Sequence, residues 1–283
     1  MTVGIATDST CDLPERLVME LGVQVVPMYI NFGHESYLDG IELSRQAFYA
    51  RLPEADPPPT TAMPGPQRFL AVYEQLAAEG ATEIISIHVS RSLSGVLDTA
   101  GLAAGEAPVP VTLFDSGSLS LGVGFLAWRA AEMAAEGAGR DEIIAALNDL
   151  RKRTHVMAAL DTLEFLRRSG RMNRVLATVG GWLQMKPLLT MNDGDSNAER
   201  VRTSETAMQR LLALLEEKLP LERVALVHTH ALDEIEQLRQ RAQHLLPKGQ
   251  IMSVDVTPVL GTHLGPGAVG FACVRVKDGV LQG

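Results

Sequence analysis

The sequence predicts an α/β protein in two domains, and three observations carry that expectation. Short apolar runs alternate with amphipathic stretches through the first half, the second half mixes helical spacing with a strand–turn–strand pattern, and 283 residues is long for one hydrophobic core. Val3 to Ala6, Val23 to Ile30, Ile84 to Val89 and Val111 to Phe114 read as buried strands, each closed by small polar residues. Between the second and third, Phe69, Leu70, Tyr73, Leu76 and Ala77 recur at helical spacing behind Pro66, which suits a first helical turn. Strand, helix and strand in that order predict a parallel sheet in a three-layer N-terminal domain. Residues 53–66, PEADPPPTTAMPGP, carry six prolines and read as a semi-rigid extended loop, not an element interior. Asp141 to Leu150 places Ile143, Ile144, Leu147 and Leu150 on one helical face, and the domain boundary is expected near residue 150, giving domains 1–150 and 151–283.

The second half opens with a strand-like His155 to Leu160 and a basic stretch, LEFLRRSGRMNR. KPLLTMNDGD beside ERVRTSETA reads as strand, Asn/Asp/Gly turn and strand. Helical faces follow at Met208, Leu211, Leu212 and Leu215, and at Ile235, Leu238, Ala242 and Leu245, around a strand-like Val224 to Val227. Ile251 to Val256, a glycine-rich turn and Val269 to Val276 read as two paired strands. The C-terminal domain is therefore expected to be α/β with a mixed, partly antiparallel sheet.

Composition narrows the function. Hydrophobic residues make up 46% of the chain and aromatics only 5%, so aliphatic and Met side chains must line any internal site. A net charge of −9 argues against nucleic acid and anionic membrane as partners, since both need a basic surface. MTVGIATDST lacks a basic region followed by an apolar one, and no apolar run is long enough to span a bilayer, so a cytosolic protein is expected. Cys11 and Cys273 lack metal-ligand or disulfide spacing and are expected to be reduced thiols.

Chemistry-bearing residues gather at strand ends. Asp8, Ser9 and Thr10 stand at the carboxyl end of the first strand, where open α/β sheets place their sites, although the same residue types cap helices. SIHVSRSLSGVLDTA puts Ser90, Ser92, Ser94 and Gly95 at a strand-to-helix junction, where hydroxyls and free main-chain N–H groups offer neutral donors to a carboxylate or phosphate. It lacks the GxSxG of a nucleophile elbow. Gly122 and Gly124 do not make a dinucleotide fingerprint, and close helix packing explains them better. GTHLGPG sets His263 on a rigid, open turn, either approaching a ligand or lying incidentally on a surface hairpin. Neither HExxH nor paired-carboxylate spacing accompanies it, so no metal is expected. Arg167, Arg168, Arg171 and Arg174 cluster in an acidic chain, with Arg200 and Arg202 as a second basic spot between two strands; solvated helix faces carry such runs too.

DSTCDL at 8–13, TAMP at 61–64, SLSG at 92–95, DSGSLSLGVG at 115–124, SGR at 169–171, KPLL at 186–189, RVRT at 200–203 and GTHLGPG at 261–267 together resemble the DegV family, over nearly the whole chain. The resemblance implies the fatty-acid-binding subunit of a bacterial fatty acid kinase system: a two-domain α/β protein, not an enzyme by itself, with a long-chain fatty acid between its domains and no other cofactor. By the same resemblance Thr61 and Ser94 would bond the carboxylate, Gly95 would lend its N–H, and His263 and Arg171 would stand nearby. Arg200 and Arg202, with Arg174, would face the kinase. TAMP stands where the family commonly has Thr-Ser-Gln-Pro, and SGV where it has Ser-Gly-Thr. The rival reading is an α/β phosphotransferase or hydrolase using Ser94 and His263, for which the sequence shows neither a P-loop nor a third triad motif.

Overall fold

The first apolar run forms β1 (Val3–Asp8), buried along its whole length because it lies inside a parallel sheet covered on both faces. A computed structural model describes residues 2–172 and 186–277, and the fold is a two-domain α/β one. In chain order β1 is followed by α1 (Glu15–Leu21), β2 (Gln24–Val26), β3 (Tyr29–Phe32), β4 (Glu35–Leu38), α2 (Arg45–Arg51) and β5 (Thr60–Ala62). Then come α3 (Pro66–Ala78), β6 (Glu83–His88), α4 (Val96–Ala104), β7 (Val111–Asp115), α5 (Leu121–Ala135) and α6 (Arg140–Arg153).

The first sheet has the order β2-β1-β6-β7, all parallel. Successive β6 residues point to opposite faces: Ile85 and Ile87 join α5 and α6 in one core, while Ile84 joins Phe69 and Tyr73 of α3 and Ala100 of α4 in another. Those are the three layers expected. The run Val23 to Ile30 is two strands, not one. Pro27 cannot donate to a ladder, and after it the chain leaves the parallel sheet for a small antiparallel one, β4-β3-β5. Within the proline-rich stretch, the β-branched pair Thr60 and Thr61 adds the edge strand β5 to that sheet, so the expected loop contains an element.

The rest of the chain supplies β8 (Thr154–Ala159), α7 (Glu164–Arg168), β9 (Lys186–Asn192), β10 (Asp195–Val201) and α8 (Ser204–Glu216). It continues with β11 (Leu221–His228), α9 (Leu232–Ala242), β12 (Met252–Asp255), α10 (Pro258–Leu264) and β13 (Val269–Arg275). The second sheet, β10-β9-β8-β13-β11-β12, is mixed. Asp193 and Gly194, at φ 47° and 90°, close the two-residue β9–β10 hairpin, where Asp-Gly suits a turn with both central residues left-handed. β12 and β13 do not pair as expected: β11 lies between them, and GTHLGPG is largely the helix α10, not a hairpin turn. Pro258 opens that helix, and Gly265, at φ 73°, ends it.

Helices α5 and α6 lie between the two sheets, sharing one core with Val3 and Ile5 on one side and Val156, Ala272 and Val274 on the other. Gly122 and Gly124 permit this closeness, since a Cβ on them would stand 2.0 Å from Ser118 Oγ and 2.5 Å from the Cys11 carbonyl oxygen. We propose that the domain division falls near residue 150, inside α6, a helix both sheets pack against. Among the described residues no helix is long and apolar enough to cross a membrane.

Candidate functional site

In the first sheet the strand order reverses beside β1, whose neighbours are β2 and β6, and ligands of open α/β sheets bind at the carboxyl ends flanking such a switch. A cavity of about 150 Å³ opens there. Thr10 beyond β1 and Val89 beyond β6 line it, and its opposite wall is built from Val156 of β8, Met191 of β9 and Leu260 of α10. One water needs about 10–15 Å³ on this measure, so the space suits a larger guest. Its lining is mainly apolar, with polar groups gathered at few points.

The clearest of those points joins four segments far apart in sequence. Thr61 of β5, Ser94 ahead of α4, His263 in the last turn of α10 and Arg171 all line the cavity. Thr61 Oγ1 and His263 Nε2 are 3.1 Å apart, within hydrogen-bond distance. Burial, reinforced by the Arg171 guanidinium, pushes the His263 imidazole down to about 3, so the ring is neutral at pH 7 and Arg171 is the positive group beside it. The other ring nitrogen, Nδ1, is sealed from solvent without a hydrogen-bond partner among the described residues. The expectation of an open turn is thus corrected: His263 is helical and its ring turns inward, because Gly261 lets α10 press against Phe48 and Tyr49.

Ser94 Oγ donates to Met63 Sδ at 3.6 Å, and Ser94 N–H donates to the Ser90 carbonyl. Gly95 is the N-cap of α4; its carbonyl accepts from the N–H groups of Asp98 and Thr99, and its position beside Ser94 sets the helix N-terminus at the cavity. Ser94 and His263 thus have different partners, Met63 and Thr61, and do not form a nucleophile–base pair.

The Asp8 triplet is structural in its geometry. Asp8 caps the turn Ser9–Cys11 and accepts from Thr10 N–H and Val89 N–H. It also meets His88 Nδ1 at 2.9 Å, His88 Nε2 meets Ser86 Oγ at 2.7 Å, and Ser86 Oγ meets Tyr73 Oη at 3.0 Å. This Ser–His–Asp chain lies wholly out of solvent, with Ser86, His88 and Asp8 each at 0% exposure. Burial opposes a charge on Asp8, yet the His88 bond and charge with the Thr10 and Val89 donors outweigh it and hold the carboxyl below its ordinary range.

Arg200 and Arg202 do not line the cavity: Arg200 is exposed within β10 and Arg202 exposed just after it, so they do not lie between two strands. At about 3.3 Å per residue, Arg200 stands roughly 13 Å along the strand from Ser196, which does line it. Arg174 lies outside the described residues. Arg167 and Arg168 both pair with Glu164 on a solvated helix face. Sequence reasoning passed over Met63 and the apolar wall. Met63 showed only as a departure within TAMP, and Met28, Val156 and Met191 look like any core residue.

Comparison with known proteins agrees with this architecture. The model of a family described as an uncharacterised protein family, DegV, matches residues 2–276. A DegV domain-containing protein of Streptomyces coelicolor is 36% identical over 273 residues, covering 95% of this chain and 96% of its own. Protein DegV of Bacillus subtilis is 31% identical over 278 residues, covering 96% and 98%. Among solved structures, a DegV family protein from Thermus thermophilus, described as fatty-acid-binding, superposes with a TM-score of 0.88 at 34% identity, covering 98% of this chain and all of its own. DegV of Bacillus subtilis, described as a fatty acid binding protein, gives 0.88 at 29%, covering 97% and 100%.

Proposed function

Since the chain belongs to the DegV family, we propose that it holds one long-chain fatty acid in this cavity and presents the carboxylate to a separate fatty acid kinase, catalysing no reaction itself. The observation that carries the reading is the junction of an apolar cavity with Thr61, Ser94, His263 and Arg171 at one place. There Ser94 and Thr61 donate hydroxyl hydrogen bonds to the carboxylate, Gly95 adds its N–H at the start of α4, and Arg171 supplies the counter-charge. Neutral His263 acts through Thr61: when its Nε2 carries the proton and donates to Thr61 Oγ1, the Thr61 hydroxyl is left to donate to the anion.

Magnitudes support the division between tail and head. A tail of ~14 methylenes, at ~0.8 kcal/mol each, gains roughly 11 kcal/mol before the costs of ordering and association. The head group is then held by a few hydrogen bonds and stays reachable for phosphoryl transfer by the kinase. Exposed Arg200 and Arg202 form the surface that meets the kinase, where exposed charges set association rate and salt sensitivity.

Native mass spectrometry of the purified protein tests the binding reading: a co-purifying long-chain fatty acid is expected, and bound phosphate with no lipid would sink it. The rim is tested by Arg200→Glu combined with Arg202→Glu. Fatty acid affinity should stay near the parent value while acyl-phosphate formation by the kinase falls, most of all at low ionic strength. Equal losses of both would move the arginines into the binding site.

A further inference from the structure

Among the described residues three methionines line the cavity, and they differ in exposure: Met28 and Met191 are each 3% exposed, Met63 47%. Met63 follows β5 and precedes Pro64, Gly65 and Pro66, a backbone with little freedom, so its side chain is held over the start of α4. There its sulfur takes the Ser94 hydroxyl at 3.6 Å, and its methyl carbon lies 3.5 Å from where a Cβ on Gly95 would stand. One partly exposed thioether therefore takes the Ser94 hydroxyl and lies against Gly95, two residues assigned above to the ligand carboxylate.

We propose that Met63 is an oxidation-sensitive gate at the head-group end of the cavity, its thioether holding the Ser94 hydroxyl loosely and its sulfoxide holding it firmly enough to weaken capture of a carboxylate. The inference rests on the fatty-acid reading. A thioether is a weak acceptor, so an arriving carboxylate readily replaces it as the acceptor of the Ser94 hydroxyl hydrogen bond. A sulfoxide oxygen is a strong acceptor on the same short tether, and it competes with the ligand. The oxidant is a hydroperoxide: a sulfur lone pair attacks the peroxide oxygen, the S–O bond forms as the O–O bond breaks, and the departing hydroxide takes the remaining proton to leave water. Sulfur loses two electrons and the peroxide gains them. Met28 and Met191 are screened by burial, and methionine sulfoxide reductases return the thioether.

The test treats the full-length, delipidated protein with dilute hydrogen peroxide, locates sulfoxide by peptide mass spectrometry, and titrates parinaric acid before and after. Oxidation at Met63 should weaken binding roughly tenfold, the size of one charged hydrogen bond, and reductase treatment should restore it. In Met63→Leu the ratio of affinities before and after peroxide should fall to about one, whatever that variant's starting affinity. Full oxidation of Met63 with unchanged binding, or a Met63→Leu protein as peroxide-sensitive as its parent, would overturn the gate alone. Failure of the untreated protein to bind parinaric acid would overturn the fatty-acid reading and the gate with it.

Discussion

Two buried aspartates near the end of β1 show how much a carboxylate depends on its partners. Asp8 is saturated with donors and stays charged. Asp39, 3% exposed, has no hydrogen-bond partner for either oxygen among the described residues, and burial pushes it up to about 7, with Asp12 and Asp8 adding to the rise and Arg45 opposing it. The sign of its effect on stability follows from proton uptake. Between the ordinary aspartate value of 3.8 and about 7 the folded protein keeps a proton that the unfolded chain releases, so Asp39 stabilises less and less as pH rises through that window. Asp39→Asn removes the ionisation and keeps the shape. It should raise the melting temperature at pH 8 by an amount worth at most about 4 kcal/mol, roughly three pKa units, and bring little gain near pH 4. The imidazoles of His263 and His155, pushed down to about 3 and about 4, act in the opposite direction, weakening the fold as pH falls below the ordinary histidine value of 6.5. Comparing the variant with its parent at each pH cancels them. A pH-independent difference would mean that Asp39 ionises normally.

At the scale of elements, periodicity made the long helices and central strands legible. The central strands β1 and β6 are largely apolar on both faces because the sheet is covered on both sides, and the hairpin turn was marked by Asp193 and Gly194. The short elements at the site were not legible. β5 has three residues among prolines and exists only because Tyr29 to Asn31 offer it an edge. Helix α10 was hidden by its glycines, which read as a turn but serve packing: a Cβ on Gly261 would lie 2.6 Å from Tyr49 Oη and 2.9 Å from a Phe48 ring carbon. Tyr49 is itself fixed by donating to the Val256 carbonyl at 3.0 Å. Gly261→Ala therefore pits two effects against each other. Helix propensity favours Ala by about 1 kcal/mol, whereas overpacking against fixed aromatic rings costs typically 1–3 kcal/mol. A net loss in urea unfolding is expected, with weaker fatty acid binding as α10 shifts His263. A gain in stability would show that the helix has slack against α2.

For the whole molecule, the cavity lies where separate cores meet: Val156 and Met191 belong to the core shared by both sheets, Met28 and Val96 to that under α3 and α4, and Leu166 to the cluster around α7. This is why Thr61, Ser94 and His263, which line the cavity, could be singled out from hydroxyl and glycine motifs while its apolar wall could not. A cavity wall and a close-packed core draw on the same aliphatic residues, and only the fold decides which is which. On the fatty-acid reading proposed above, the ligand becomes a structural member. A space of about 150 Å³ left unfilled costs on the order of 4 kcal/mol, at about 24 cal/mol per Å³. A fatty acid that binds the folded chain alone stabilises it by RT ln(1 + [L]/Kd), about 2.7 kcal/mol at a hundredfold excess over Kd. For a chain of this length that corresponds to roughly 4–5 °C. Delipidated protein should therefore melt lower by calorimetry, and palmitate or oleate should restore the parent value in a concentration-dependent way. Because one core runs through both sheets, the two domains should shift together. A melting temperature indifferent to delipidation and re-addition would mean that no lipid fills the space between the cores, and the fatty-acid reading would fall with it.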